Sequence, residues 1–398
     1  MKNVFVVFVG CFVLGMNAQA TFETKVVIDS IPVANTANET FALYLPSDYR
    51  SDILSPILFV FSPSGNGRKG VEAFRDAAET YNYILVCSNN ARNGPYERNF
   101  GIAERLFTHI FSNFNIKEKR IYLAGFSGGS RLVSAIASLT DQIEGVIACG
   151  AGFSQIPYHK PSIQKYAYAG VCGDRDMNYR EMIDVKSYLN KLKFVNTLFT
   201  FEGNHRWPPS EQIVQAFDWL EMESVKKGNL QKSKAEIRKS YLRNYDFTKT
   251  IDSETQPLLA YEHYERLLAS YKRFFMLDSI ANKMQVIQES NSYSEQLNTR
   301  KKLFERERDL DKVFIGRFNR DYEKPEKVNM KWWRKEFQKL DKLKEDKFGQ
   351  REKMLSRFRY RFYAIIYTKL QSGVSEPSPA QKSFCKELYG LIYPKIAD

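Results

Sequence analysis

Residues 120–132 read "RIYLAGFSGGSRL", an apolar run that stops at a glycine, with a serine two residues later and two more glycines directly after it. The run predicts a buried strand, and the residues after Ser127 predict a helix. A serine between them stands on a sharp turn, where a side chain two residues to either side would collide. Gly125 and Gly129 meet that requirement. The stretch therefore predicts a turn that presents the Ser127 hydroxyl at a strand end, although a plain glycine turn remains the alternative at this point.

Strand-like apolar runs recur on both sides of this unit in the first half of the chain. They cover residues 24–30, 40–46, 56–62, 83–88, 120–125, 145–150, 166–173 and 197–203. Helix-like segments such as 103–114 and 131–139 separate the later runs. Continuous apolar strands that alternate with helices predict a mostly parallel sheet covered on both faces. The first two runs are joined without a helix, which predicts an antiparallel edge.

Charge divides the chain in two. The 398 residues have a net charge of +13, and residues 221–398 hold nearly all of it, with 38 Lys and Arg against 26 Asp and Glu. From residue 232 onward, apolar side chains recur at three- and four-residue spacing, which predicts amphipathic helices without strands. We therefore expect an α/β domain over 21–224 and a basic all-α domain over 225–398.

The first twenty residues predict a secretory signal peptide. Lys2 precedes an apolar run over 4–14 that is too short to span a bilayer, and the small residues at 18 and 20 suit signal peptidase. Cys11 lies inside this run, whereas a lipid-modified cysteine would normally end it. We expect cleavage after Ala20 and export to the periplasm or the medium.

The other cysteines are Cys87, Cys149, Cys172 and Cys385. Four cysteines in a chain of this size do not make a disulfide framework, and the first three lie near the ends of predicted buried strands, where cysteine packs as a small hydrophobe. A Cys149–Cys172 bridge between neighbouring strands is the alternative. Cys/His spacing typical of a metal site is absent from the sequence, and we expect no metal and no cofactor.

A serine nucleophile requires a base, and the chain has four histidines. His109 lies in a predicted helix, His159 in a loop that we expect to be exposed, and His263 in the basic helical half. His205 follows the last predicted strand and precedes a helix that opens with two prolines. In the chain order serine, acid, histidine, this is the position of the base. His205 is therefore the predicted general base.

The acid is expected after the run at 166–173, where "GVCGDRD" offers two aspartates. Asp176, three residues after Gly173, has the usual spacing and is predicted to orient His205. Asp174 is the alternate, although a loop cap or an ion-pair partner of a nearby arginine is its simpler interpretation.

Residues 38–222 resemble the secreted α/β-hydrolase esterases that are grouped with polyhydroxyalkanoate depolymerases and feruloyl esterases. The matching pieces are "ALYLPSDY" leading into "PILFVF", "RIYLAGFSGGSR", "GVIACGAGF", "GDRD" and "GNHRWPP". The resemblance implies an α/β-hydrolase sheet of about eight strands. It also implies that the serine, aspartate and histidine named above form a catalytic triad, with Trp207 as a wall of the site. We further expect Phe126, next to the nucleophile, to contact substrate.

The loop after the third predicted strand departs from this resemblance. Two backbone donors must face the oxyanion that forms during acyl transfer, and Gly128, directly after the nucleophile, is naturally one of them. The family usually has His-Gly-x-Gly where this chain has Ser62-Pro63-Ser64-Gly65, and Pro63 has no amide hydrogen. We therefore predict Ser64 as the second donor, with Gly65 as the alternative.

These features predict an exported serine esterase that acts on a small-molecule or saccharide ester through an acyl-enzyme. A prolyl peptidase or an acyltransferase would share the triad. The alternative function is a weak or inactive hydrolase scaffold that serves as an envelope binding protein.

The basic half allows three interpretations: a packed domain with a solvated charged face, a cover over the active-site mouth, or a contact surface for an anionic envelope component. Its charges are mixed in sign within each helix, which disfavours nucleic acid as a partner.

Overall fold

The computed structural model describes residues 22–371 and 376–393, so the predicted signal peptide lies outside the described residues. Within them, eight strands form one sheet. The strands are β1 (Val27–Pro32), β2 (Thr40–Tyr44), β3 (Ser55–Phe61), β4 (Ile84–Ser88), β5 (Ile116–Phe126), β6 (Gly145–Cys149), β7 (Ala167–Gly173) and β8 (Asn196–Phe201). Five helices accompany them: α1 (Gly67–Tyr81), α2 (Tyr96–Asn113), α3 (Gly128–Leu139), α4 (Tyr179–Lys191) and α5 (Ser210–Lys227).

The strand order is β1-β2-β4-β3-β5-β6-β7-β8. The β1/β2 and β2/β4 pairs are antiparallel, and every other pair is parallel. The predicted antiparallel edge and the predicted α/β-hydrolase sheet are therefore confirmed. Parallel strands leave their carboxyl ends along one edge, which is where loops from several strands can meet.

Helices cover both faces of the sheet, as the continuous apolar strands predict. Successive side chains of a strand point to opposite faces, and in β3 both neighbours Leu58 and Phe59 are fully buried. Phe59 packs on Phe107 of α2, with ring centroids 4.4 Å apart. Leu58 belongs to the core on the other face, together with Phe217 of α5. Burial on both faces explains why the strand reads as a continuous apolar run.

After α5, the described residues form helices joined by loops and contain no strand. The helices are α6 (Lys234–Lys249), α7 (Pro257–Tyr271), α8 (Asp278–Glu289), α9 (Asn291–Glu323), α10 (Met330–Asp341), α11 (Gln350–Gln371) and α12 (Pro379–Ile392). The predicted all-α C-terminal region is therefore confirmed. None of the described helices is both long and apolar enough to cross a membrane.

Two apolar clusters hold the helical region together. One is built from α9 to α12 around Phe314, Trp333 and Phe362. The other is built from α6 to α8 and includes Met222 of α5. Helix α5 thus lies on the sheet and also contributes to the helical core, and the predicted domain boundary at 225 falls inside its last turn. That boundary stays a prediction.

The four described cysteines are buried free thiols. Cys149 and Cys172 lie on the neighbouring strands β6 and β7, but they are not cross-linked, so the alternative of a bridge between them is wrong. Burial raises the pKa of all four thiols, to about 11 for Cys385, which suits their role as small core residues.

Candidate active site

Ser127 occupies the turn between β5 and α3. Its backbone has φ 54° and ψ −117°, in a region that residues with a Cβ adopt only under strain. The Ser127 N–H donates to the carbonyl of Cys149, at 2.8 Å, which ties the turn to the end of β6. Such a strained strand-to-helix turn lifts the serine hydroxyl out at the carboxyl edge of the sheet.

The glycines around Ser127 are required by close packing. A Cβ on Gly125 would lie 2.4 Å from the carbonyl group of Gly129, and a Cβ on Gly129 would lie 1.9 Å from the carbonyl oxygen of Phe61. In real structures a Cβ essentially never comes within 3.0 Å of a non-bonded heavy atom of a residue that is not its chain neighbour. The predicted collision on either side of the serine is therefore confirmed.

Three predicted site residues form one hydrogen-bonded chain. Ser127 Oγ lies 3.0 Å from His205 Nε2, and His205 Nδ1 lies 2.8 Å from Asp176 Oδ2. The Asp176 side chain is only 1% exposed, and its Oδ1 accepts the N–H of Asn178 at 2.8 Å. When His205 Nδ1 carries a proton and donates it in a hydrogen bond to the Asp176 carboxylate, Nε2 has a free lone pair and can accept the serine proton.

Asp174, the alternate acid, does not reach the imidazole. It forms ion pairs with Arg175 at 3.6 Å and with Lys353 at 2.8 Å. Its simpler interpretation as an ion-pair partner is therefore confirmed.

The Ser127 hydroxyl opens into a cavity of about 330 Å³. The lining combines polar and apolar surface and consists of Ser62, Arg92, Asn93, Gly94, Tyr96, Asn99, Ser127, Gly128, Gly129, Arg131, Leu132, Met177 and Asn178. The Arg131 side chain is paired bidentately with Glu181, at 2.7 and 2.8 Å, so its charge is already compensated. No group of three or more His, Cys, Asp or Glu side chains in the described ranges is arranged to hold a metal ion.

Of the two predicted oxyanion donors, Gly128 lines this cavity and Ser64 does not. Ser64 is exposed, and its N–H and its hydroxyl both face the Ser62 hydroxyl, at 3.4 and 3.1 Å. The N–H of Gly65 is turned to the Ser62 carbonyl at 3.4 Å. The turn after β3 curls back on Ser62, and both amides that the sequence offered are engaged by Ser62 in this arrangement. The role of Ser64 as the second oxyanion donor stays a prediction.

No protein-family model and no curated protein matches this sequence. Among solved structures, the chain is similar to S-formylglutathione hydrolase (FrmB) from Staphylococcus aureus. The sequence identity is 15% and the TM-score is 0.41, and the likeness covers 49% of this chain and 95% of the S-formylglutathione hydrolase chain. Est1E from Butyrivibrio proteoclasticus is similar with 12% identity and a TM-score of 0.41, over 50% and 99% of the two chains.

The feruloyl esterase module from Clostridium thermocellum, complexed with sinapinate, is similar with 12% identity and a TM-score of 0.38, over 46% and 82%. These neighbours are serine hydrolases and esterases. The likeness covers about half of this chain, and nothing about its activity follows from it.

Phe126 and Trp207, which the sequence predicts to contact substrate, lie outside the cavity lining, and Phe126 lies beside the imidazole. The Phe126 ring centroid is 4.6 Å from that of His205 and 5.2 Å from that of Trp207. Trp207 in turn packs on Phe74, at 5.9 Å. The Phe126 ring, which Trp207 backs, therefore supports His205 in this arrangement. Contact of Phe126 and Trp207 with substrate stays a prediction.

The other histidines have structural partners. His109 accepts the N–H of Ala34 at 3.0 Å, and His263 is buried against Phe247 at 5.2 Å, where burial lowers its pKa well below the usual value. The predicted exposure of His159 is wrong, because its side chain is covered by Tyr96 and the residue is only 1% exposed. A ring nitrogen of His159 also bonds the Ser154 hydroxyl at 2.9 Å.

Helix α11 reaches the loops that carry Asp176 and His205, a feature that its sequence did not reveal. Its Lys353 pairs with Asp174 at 2.8 Å, and its Ser356 bonds Asn204 at 3.4 Å. One turn further, the ring centroid of Tyr360 lies 5.8 Å from that of His205. Burial and, to a smaller extent, the charge of Asp176 raise the pKa of the Tyr360 hydroxyl. The helical region therefore borders the candidate active site.

Proposed function

We propose that this protein is a serine hydrolase that cleaves carboxylic esters through Ser127, His205 and Asp176. The supporting observation is the hydrogen-bonded chain from the Ser127 hydroxyl through the His205 imidazole to the buried Asp176 carboxylate, at 3.0 and 2.8 Å. The strained turn at Ser127 adds to this support, since strained backbone conformations cluster at active sites.

Acylation begins when Ser127 Oγ attacks the ester carbonyl carbon and its proton passes to His205 Nε2. The carbonyl π electrons move to oxygen, and the resulting oxyanion lies beside the N–H of Gly128. Asp176 accepts the Nδ1 hydrogen bond and stabilises the imidazolium. Collapse of the tetrahedral intermediate breaks the carbon–oxygen bond, and the leaving alcohol takes the proton from Nε2. The acyl group remains on Ser127.

Deacylation repeats these steps with water. His205 takes a proton from the water as its oxygen attacks the acyl carbon, and collapse releases the acid and returns the proton to Ser127. The cavity of about 330 Å³ offers polar side chains such as Asn93 beside apolar ones such as Leu132 and Met177, which suits a small ester that carries both kinds of group. The proposed substrate is therefore a small-molecule or saccharide ester.

The test is labelling by a fluorophosphonate probe together with hydrolysis of p-nitrophenyl acetate. Ser127→Ala and His205→Ala should each lower kcat by at least about 10⁴-fold, since the triad acts as a unit. Ser162→Ala, a change at an exposed loop serine, should label and turn over like the wild type. Full activity of Ser127→Ala would show that the nucleophile is assigned to the wrong residue.

We also propose that the protein is exported, because residues 1–20 combine a basic start, a short apolar run and small residues at 18 and 20. Intact-mass measurement of the protein from a bacterial host should show a chain that starts at Thr21 in the periplasm or medium. A cytoplasmic chain that keeps residues 1–20 would contradict export. Contact with an anionic envelope component through residues 225–398 stays a prediction.

A further inference from the structure

The oxyanion of the proposed reaction has one donor in the sheet region, the N–H of Gly128, where two are usual. The amides of Ser64 and Gly65 are both directed at Ser62, and Pro63 has no amide hydrogen. A single donor would leave the developing charge poorly stabilised. With both amides engaged by Ser62, another group that borders Ser127 and Gly128 in the cavity is a candidate for the second donor.

Asn93 is held next to this turn by backbone contacts. Its N–H donates to the carbonyl of Pro63 at 2.9 Å, and the preceding Arg92 forms an antiparallel bridge with Ser64. The loop between β4 and α2 is thus joined to the loop after β3. These contacts set the position of the Asn93 backbone relative to the oxyanion region.

The carboxamide of Asn93 lies directly against Gly128. A Cβ on Gly128 would lie 1.7 Å from Asn93 Oδ1 and 3.5 Å from Nδ2, so only glycine at 128 permits the side chain to come this close. Asn93 lines the same cavity as Ser127. None of the described residues forms a hydrogen bond with its carboxamide, although that group carries two N–H donors.

We propose that the Nδ2 group of Asn93 is the second oxyanion donor. This role rests on the proposed function. The terminal torsion of asparagine is broad and roughly two-fold, so the carboxamide can turn Nδ2 toward the oxyanion beside Gly128 without movement of the backbone. Asn93 transfers no proton: it donates a hydrogen bond that strengthens as the carbonyl oxygen becomes negative. Asn93 is then a catalytic residue, since it touches the reacting oxygen.

The test compares Asn93→Ala and Asn93→Asp with the wild type on p-nitrophenyl acetate. Removal of one oxyanion donor should lower kcat about 100-fold. KM should stay within about threefold, because the lost interaction belongs to the transition state. Asn93→Asp should lose at least as much, since a carboxylate only accepts hydrogen bonds and repels the oxyanion. Fluorophosphonate labelling should slow in both variants, because the phosphonyl oxygen takes the oxyanion position.

Asn90→Asp is the matched control. Asn90 lies in the same loop, but its side chain bonds the backbone of Thr40 and Asn38, at 2.8 and 3.0 Å, outside the cavity. This variant should keep wild-type kcat and labelling. An equal loss of kcat in Asn90→Asp and Asn93→Ala would mean that the loop and not the donor matters, and it would overturn the proposal.

Two further outcomes separate this proposal from the proposed function. If the wild type labels through Ser127 while Asn93→Ala keeps kcat within threefold, the esterase assignment stands and the role of Asn93 is overturned. If the folded wild type neither labels nor hydrolyses esters, both are overturned. A thermal unfolding midpoint equal to that of the wild type is the check that each variant is folded. We expect this result because Asn93 is exposed.

Discussion

Ser127 has a backbone conformation that costs roughly 1–3 kcal/mol for a residue with a side chain. The contacts of its neighbours hold it in this conformation. Gly125 and Gly129 approach each other more closely than any residue with a Cβ could. The Ser127 N–H is bonded to the end of β6. The conformation is therefore imposed from both sides of the turn and from the next strand.

Gly129→Ala tests this account of the turn. The new Cβ would stand 1.9 Å from the carbonyl oxygen of Phe61, so β3 or α3 must move. We expect a loss of about 1–3 kcal/mol in the free energy of unfolding, as for other overpacked sites. Slower fluorophosphonate labelling of Ser127 should accompany it. Urea unfolding and the labelling rate measure the two effects.

Gly316→Ala provides the control, because Gly316 lies within α9 and its nearest neighbour would be the end of the Arg320 side chain at 3.9 Å. Alanine in a helix interior should stabilise the protein by about 0.5–1 kcal/mol. If Gly129→Ala unfolds and labels like the wild type, close packing is not what requires glycine there.

Among the elements, the strands could be predicted closely, because burial of a strand on both faces is also what makes its sequence a continuous apolar run. β3 and β7 are buried on both faces, so their apolar runs are continuous, and the predicted limits lie within one residue of the observed ones. The parallel arrangement then brings the ends of β5, β7 and β8 to one edge. That is why Ser127, Asp176 and His205 could be chosen as neighbours from the motif around Ser127, the spacing after Gly173, the order of the three residues and the resemblance to a known family.

Loops could not be predicted in this way. The burial of His159 depends on how its loop folds against Tyr96, and the direction of the Ser64 amide depends on the turn that follows β3. Asn93 reaches Gly128 only because two loops are joined by backbone hydrogen bonds. No local pattern of residues encodes such contacts between separate loops.

Helix α11 is a further case at the element scale. Its apolar stripe predicts a packed helix, and Phe358 and Phe362 do pack in the helical core. The same stripe does not indicate what the opposite face of the helix contacts, because charged and polar side chains can face either solvent or a neighbouring loop. The contact of Tyr360 with His205 therefore had no sequence signal.

In the whole molecule, a buried arginine of the helical region contacts the acid loop, the loop after β7 that carries Asp174 and Asp176. Arg357 of α11 bonds Glu307 of α9, with Nη2 and Oε2 2.7 Å apart, and the two side chains are 2% and 0% exposed. Arg357 also donates to the carbonyl of Asp174 at 2.8 Å. Arg180, in α4, pairs with Asp311 of α9 at 2.8 Å. The position of the loop that carries Asp176 thus depends on α9 and α11.

Glu307→Gln should weaken both stability and activity. It leaves the Arg357 guanidinium buried without its carboxylate, and breaking a buried pair in this way costs about 3–5 kcal/mol. Because Arg357 also holds the acid loop, we expect kcat on p-nitrophenyl acetate to fall together with the free energy of unfolding. Urea unfolding followed by tryptophan fluorescence, with kcat measured well below the unfolding transition, separates the two effects.

Glu295→Gln is the matched control at the surface. Its partner Lys347 lies 3.2 Å away, and the side chains of Glu295 and Lys347 are 56% and 63% exposed. The free energy of unfolding should therefore fall by less than about 1 kcal/mol, and kcat should not change. If Glu307→Gln loses stability but keeps wild-type kcat, the helical region stabilises the fold without holding the acid loop. If it matches Glu295→Gln in both measurements, the buried pair does not couple the two parts of the molecule.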